Sequence, residues 1–245
     1  ALYASEAFAD EEFYGKIAKM YKKLSDDAKV DVLTWLGDNK VESQFGLIAS
    51  ELAAPGARGA AAAEAIAMLG GEKAADALLA VPVTKDNVAA LKKALSFVNV
   101  DLTDKVVKAL PEAESLQRDF LVELAGDKRI YEAAPFILKL AENDVPVALK
   151  ALAGVVAPAD FPALAKMMDK NPGAEIEKAM KAALKTLPAA EKYNAVKAAA
   201  DAAAKPELLY NVMATAANPE AIAYLTEKYE AGSETALKAL STIND

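Results

Sequence analysis

The sequence predicts an all-α fold, and three observations carry that prediction. Apolar residues make up 54% of the chain while aromatics supply only 7%; alanine dominates the remainder, and it is the strongest helix former. Apolar positions recur at spacings of three and four, the period of one helix face, and the strict alternation of a strand is missing throughout. Breaks at Gly37, Gly70, Asn99, Gly126, Pro158, Pro188, Asn218 and Asn244 lie 26 to 33 residues apart. A period near 30 residues, spent on two helices and a turn, is what stacked helix pairs require.

Taken in order, the segments 11–24 and 26–36 form the first pair. Phe13, Ile17, Met20, Tyr21 and Leu24 make an inner stripe under a charged outer face, which suits a capping helix over residues 1–24. Trp35 closes the second segment and reads as a core anchor, with a ligand-stacking role as the alternative. Pairs follow at 40–53 with 56–69, 71–80 with 85–97, and 102–110 with 113–125. The stretch "GARGAAAAE" at 56–64 resembles a phosphate loop, but no strand precedes it and no lysine follows, so it reads as an inter-repeat turn. The fifth pair is 130–142 with 144–156, whose stripe is Val145, Ala148, Leu149, Leu152, Val155 and Val156.

Periodicity is clearest in the sixth pair, 160–169 with 173–187, where Ile176, Ala179, Met180, Ala183, Leu184 and Leu187 share one face. Asn171 and Pro172 are expected to open that second helix as cap and first-turn residue, and Asn218 with Pro219 repeats the signal. Met167 and Met168 read as core gap-fillers. The last pairs are 190–203 with 205–216 and 219–230 with 233–243, giving about eight pairs in all. The final helix carries apolar Ala236, Leu237, Leu240 and Ile243 with no second cap, so the natural chain is expected to continue past Asp245.

The stretch "YEAAPFILKLAENDVPVALKALAGVVAPADFPALAKMM" resembles HEAT-like repeats. It has a first helix with an early proline (Pro135, Pro162), an apolar pair, an acidic turn and a second helix of the "VALKALAG" kind. "DDAKVDVLTWLGDNKVESQFGLIASEL" and "GARGAAAAEAIAMLGGEKAADALLAV" are similar, and the resemblance covers most of residues 25–243. It implies a right-handed alpha-alpha superhelix of the armadillo type, a HEAT-like solenoid formed by residues 1–245 as a single repeat domain. The arginine that many such repeats place in the second helix is mostly replaced here by lysine or nothing.

Composition removes several kinds of chemistry. The chain has no cysteine and no histidine, which excludes thiol nucleophiles, Ser-His-Asp triads and the usual zinc sites. A net charge of −8 and only three arginines, Arg58, Arg118 and Arg129, argue against nucleic-acid binding. No apolar run reaches the roughly 20 residues that span a bilayer, so no membrane insertion is expected. Nucleotide and hydrolase motifs are missing, and no cofactor or metal is expected.

Carboxylates remain as acid-base candidates in three groups: Asp10 with Glu11 and Glu12, Asp26 with Asp27, and Glu142 with Asp144. Each falls at a helix start, where negative charge complements the helix dipole, and capping is the preferred role. Tyr193, Tyr210, Tyr224 and Tyr229 cluster in the last third and form the candidate interaction surface, with core-edge packing as the alternative. The expected function is a non-catalytic scaffold or protein-interaction module with a protein partner, not an enzyme. Two other readings rest on the resemblance. One is the helical part of a larger exported bacterial carbohydrate-acting protein, which would place the chain in the periplasm or outside the cell. The other is a bilin-lyase-like HEAT protein.

Overall fold

A computed structural model describes residues 11–243. Sixteen α-helices and no strands are present among the described residues. Residues 1–10 and 244–245, which include the candidate Asp10 and the expected break at Asn244, lie outside the described residues. Contacts divide the chain into two compact units, Ala1–Asp104 with Ala113–Phe120, and Lys105–Glu112 with Leu121–Asp245.

The first unit holds α1 (Glu11–Tyr21), α2 (Asp26–Asp38), α3 (Phe45–Ser50), α4 (Ala57–Leu69), α5 (Gly71–Leu79) and α6 (Val88–Phe97). Helix α1 buries Ile17 and Tyr21 and lays Phe13 edge-on and Tyr14 tilted against Trp35, at ring separations of 5.9 and 5.7 Å. Trp35 is fully buried, the core anchor that its position predicts. Met20 departs from the expected stripe and is exposed. The buried face is centred on Tyr14, Ile17 and Tyr21, at i, i+3 and i+7, and Met20 falls beyond its edge. The second helices stack on one another, α2 on α4 and α4 on α6, while α3 and α5 lie against their own partners.

The next helices in chain order are α7 (Thr103–Ala109) and α8 (Ser115–Lys128). The second unit then contains α9 (Ala134–Ala141), α10 (Pro146–Val155), α11 (Phe161–Lys170), α12 (Ala174–Leu184), α13 (Ala189–Ala202), α14 (Tyr210–Met213), α15 (Pro219–Glu230) and α16 (Glu234–Leu240). Here too α10 packs on α12, α12 on α14 and α14 on α16, while α11, α13 and α15 form a parallel series. The stripe of α12 is buried at Ile176, Ala179, Met180, Ala183 and Leu184, and Met167 and Met168 are buried in α11.

Two of the expected breaks are not breaks. Gly37 and Gly126 lie inside α2 and α8. In "WLGDNKV" and "LAGDKRI" the turn comes three residues later, at Lys40 (φ 49°) and Arg129 (φ 57°). The Lys40 N–H donates to the Gly37 carbonyl and Val41 N–H to Leu36, and the same pair of bonds joins Arg129 to Gly126 and Ile130 to Ala125. That pattern caps the last helical carbonyls, and glycine commonly occupies its left-handed position. A charged residue stands there instead in both repeats, and Asp144 (φ 57°) does the same after α9.

The glycines serve interhelix approach. A methyl on Gly37 would come within 2.7 Å of the Ala65 Cα, and one on Gly154 would overlap the carbonyl of Gly126. Only a residue without Cβ lets α10 approach α8 backbone to backbone at that point. Residues 57–64 of the glycine-containing stretch are the first turns of α4, and Gly56 (φ 64°) is its cap, so the turn is confined to the start of that stretch.

The expected cap of α12 also differs. Gly173, in extended conformation, precedes α12 without a side-chain bond. Asn171 instead donates from Nδ2 to Asp144 Oδ1 at 2.5 Å. Asn218 behaves as expected: its Oδ1 accepts from the Ala221 N–H at 2.9 Å, and Pro219 occupies the first turn of α15.

Candidate interaction surface

Two of the four singled-out tyrosines, Tyr210 and Tyr224, meet where α13, α14 and α15 pack, and Tyr193 lies close enough to act on Lys197. Tyr193 and Lys197 are one turn apart on α13, Tyr224 and Lys228 one turn apart on α15, and Tyr210 opens α14. The rings of Tyr210 and Tyr224 contact edge to face at 6.2 Å. Lys197 and Lys228 approach the Tyr224 ring at 5.6 and 5.0 Å, within the range at which an ammonium is attracted to an aromatic face.

Each ammonium also has its own carboxylate. Lys197 donates to Asp201 at 3.0 and 2.7 Å, which raises the ammonium pKa, and the phenols of Tyr193 and Tyr224 reinforce the shift. Lys228 donates to Glu227 at 2.9 Å, with the same direction of shift. Burial raises the phenols of Tyr210 and Tyr224, Lys228 opposing it in both. The phenols therefore stay protonated at neutral pH and the lysines stay charged. The cluster combines an edge-to-face ring pair with two ammoniums that each have a carboxylate partner. Tyr210 is buried, whereas Tyr229 is 45% exposed and stands apart from the cluster.

One member of each carboxylate group has a structural partner. Asp26 accepts from Arg58 at 2.6 Å, and Arg58 Nε lies 2.9 Å from Glu51 as an ion pair without a well-aligned hydrogen bond. Asp144 is held by Asn171, and Glu142 is the residue after α9. Glu12 pairs with Lys16 on the outer face of α1. Among the described residues no group of three or more acidic side chains is arranged to hold a metal ion, and no helix is long and apolar enough to cross a membrane.

These polar links share a sequence separation. Arg58 to Asp26 spans 32 residues, Lys93 to Glu64 29, and Val83 N–H to Gln117 34, all in the first unit. Asn171 to Asp144 spans 27, Lys205 N–H to Asp169 36, and Asn211 to Glu177 34, all in the second. Every one connects a helix pair to its sequence neighbour.

The sequence reading missed Met68 and Phe97, which are 44% and 68% exposed. A signal existed. Ile66 and Leu95 are buried, and a residue two positions further along an α-helix points about 200° away. Comparison with known proteins yields no matching family model, curated protein or solved structure.

Proposed function

We propose that the chain is a HEAT-like α-solenoid with right-handed stacking that acts as a non-catalytic scaffold or protein-interaction module. The observation that supports this reading is the one-repeat spacing shared by helix stacking and polar cross-links. Second helices contact second helices of the next pair, and the long-range side-chain bonds described above span 27 to 36 residues. In such an architecture each pair completes its core with its neighbours, and binding is spread over a repeated surface without a few-residue site. Of the acidic side chains singled out by the sequence, Glu12 and Asp26 are in ion pairs and Asp144 is held by Asn171 at a turn, consistent with a structural role.

Crosslinking mass spectrometry in native extract tests the function. The expected result is a recurrent protein partner whose crosslinks fall on lysines of consecutive pairs. Turnover of a small molecule by the pure chain, with no partner recovered, would reverse the reading.

A further inference from the structure

In the first unit, Lys40, Glu64, Ala67, Met68, Lys93 and Phe97 line a groove of about 430 Å³ at the C-terminal ends of α4 and α6 and the turn after α2. We propose that this groove docks an apolar segment of a partner polypeptide that carries a carboxylate beside its apolar anchor. The proposal rests on the interaction-module reading and names its surface and the chemistry of its partner.

The apolar half of the argument is Met68 and Phe97. A phenyl ring that is 68% exposed beside a thioether that is 44% exposed leaves apolar area in water, and burying such area is the main driving force of association. Methionine also adapts its shape to different partners. The floor is Ala67, and the Met68 Sδ reaches the surface of Gly37, 3.3 Å from where a Cβ would stand. The missing side chain of Gly37 thus lets the methionine sulfur pack directly on α2.

Charge selects the partner. Lys93 is neutralised by Glu64 at 2.6 Å. Lys40 is exposed, makes no ion pair among the described residues, and is fixed at the rim by the left-handed turn that caps α2. The groove therefore presents two ammoniums against one carboxylate on a chain whose net charge is −8. An acidic group next to an apolar anchor satisfies both halves, whereas a basic partner meets Lys40. The protruding Phe97 makes the site an open groove. Small-molecule sites enclose roughly 70–90% of their ligand, so the openness favours a peptide segment laid between helix ends over an amphiphile.

The test is selection from a random linear-peptide library against the intact chain, followed by affinity measurement on the synthesised winners. The expected winners pair a bulky apolar residue with Asp or Glu. Phe97→Ser and Met68→Ser should each weaken the best peptide by about tenfold or more, as loss of an apolar anchor does. Lys40→Glu should abolish the acidic preference and, on reselection, favour Lys or Arg peptides, while Tyr131→Ser in the second unit changes nothing. If Phe97→Ser fails to fold by circular dichroism, the exposed Lys40→Glu decides alone. Winners that bind Phe97→Ser and Lys40→Glu unchanged overturn the groove and leave the interaction module standing; an empty selection counts against both. A neutral or basic consensus, or dodecanoate displacing every peptide at lower concentration, overturns the proposed partner chemistry.

Discussion

Replacing Gly154 by alanine tests the close approach of α8 and α10 directly. The new methyl would lie 2.7 Å from the Gly126 carbonyl carbon and 2.8 Å from its Cα, and closer still to its oxygen. Carbon atoms are best packed at about 3.5–4.0 Å, so the helices must separate by about 1 Å. The obstacle is backbone, which has no rotamer to change. Overpacking of this kind costs about 1–3 kcal/mol. Alanine offsets part of that, because it is up to about 1 kcal/mol better than glycine inside a helix. Gly154 is one residue from the end of α10, where the offset is smaller. The net expectation is a loss of about 1–2 kcal/mol.

Gly15→Ala is the control. It sits within α1 with nothing within 4 Å of its would-be Cβ, so only the propensity gain remains. Urea unfolding followed by far-UV circular dichroism should move the two variants in opposite directions. Trp35 is the only tryptophan and lies against α1, so its fluorescence isolates the response of the first unit to Gly15→Ala. A Gly154→Ala protein as stable as the parent would refute the packing argument.

Tyr21 is buried with its hydroxyl unpaired, and its pKa is pushed up to about 12 by burial and then by Glu51, with Asp26 adding and Arg58 opposing. Below pH 10 the phenol is protonated whether folded or not, and its contribution is constant; as pH rises from 10 to about 12 the unfolded chain ionises first and stability falls. Tyr21→Phe should therefore match or slightly exceed the parent at neutral pH and lose less stability across that window, read by Trp35 fluorescence in urea. A Phe variant markedly weaker at neutral pH would show that the hydroxyl is satisfied, and one with the same alkaline decline would show that burial does not raise the phenol. Leu152→Asp and Leu184→Asp place a charge at fully buried stacking positions and should each cost about 3 kcal/mol or more, while the exposed Lys178→Ala stays within about 0.5 kcal/mol. Equal melting temperatures for the three would contradict the assigned faces.

Much of the helical framework was legible because its causes are local. The buried stripe of α12 is a 3.6-residue period written in consecutive residues, and Asn218 with Pro219 opens α15 through bonds that span three residues. The Tyr193, Lys197 and Asp201 row is likewise a helical spacing. That Tyr210 would meet Tyr224, and that Tyr229 would stand apart, depends on how α13, α14 and α15 pack.

The same boundary explains the departures. Gly37 looked like a break because glycine ends helices, yet its lack of a side chain is used by Ala65, a residue 28 positions away. Asn171 looked like a cap because it precedes a proline, yet Asp144 holds it. Phe97, two positions past the buried Leu95, points off the inner face of α6, and only the tertiary structure decides that it stays in water. By itself, then, the sequence determined that the chain is helical, roughly where most helices lie and which stripe α12 buries, since propensity, periodicity and capping act within a few residues. Tertiary structure decided which glycines are contacts, which polar groups bridge repeats and which apolar side chains stay uncovered, because those properties belong to pairs of residues brought together from about one repeat apart.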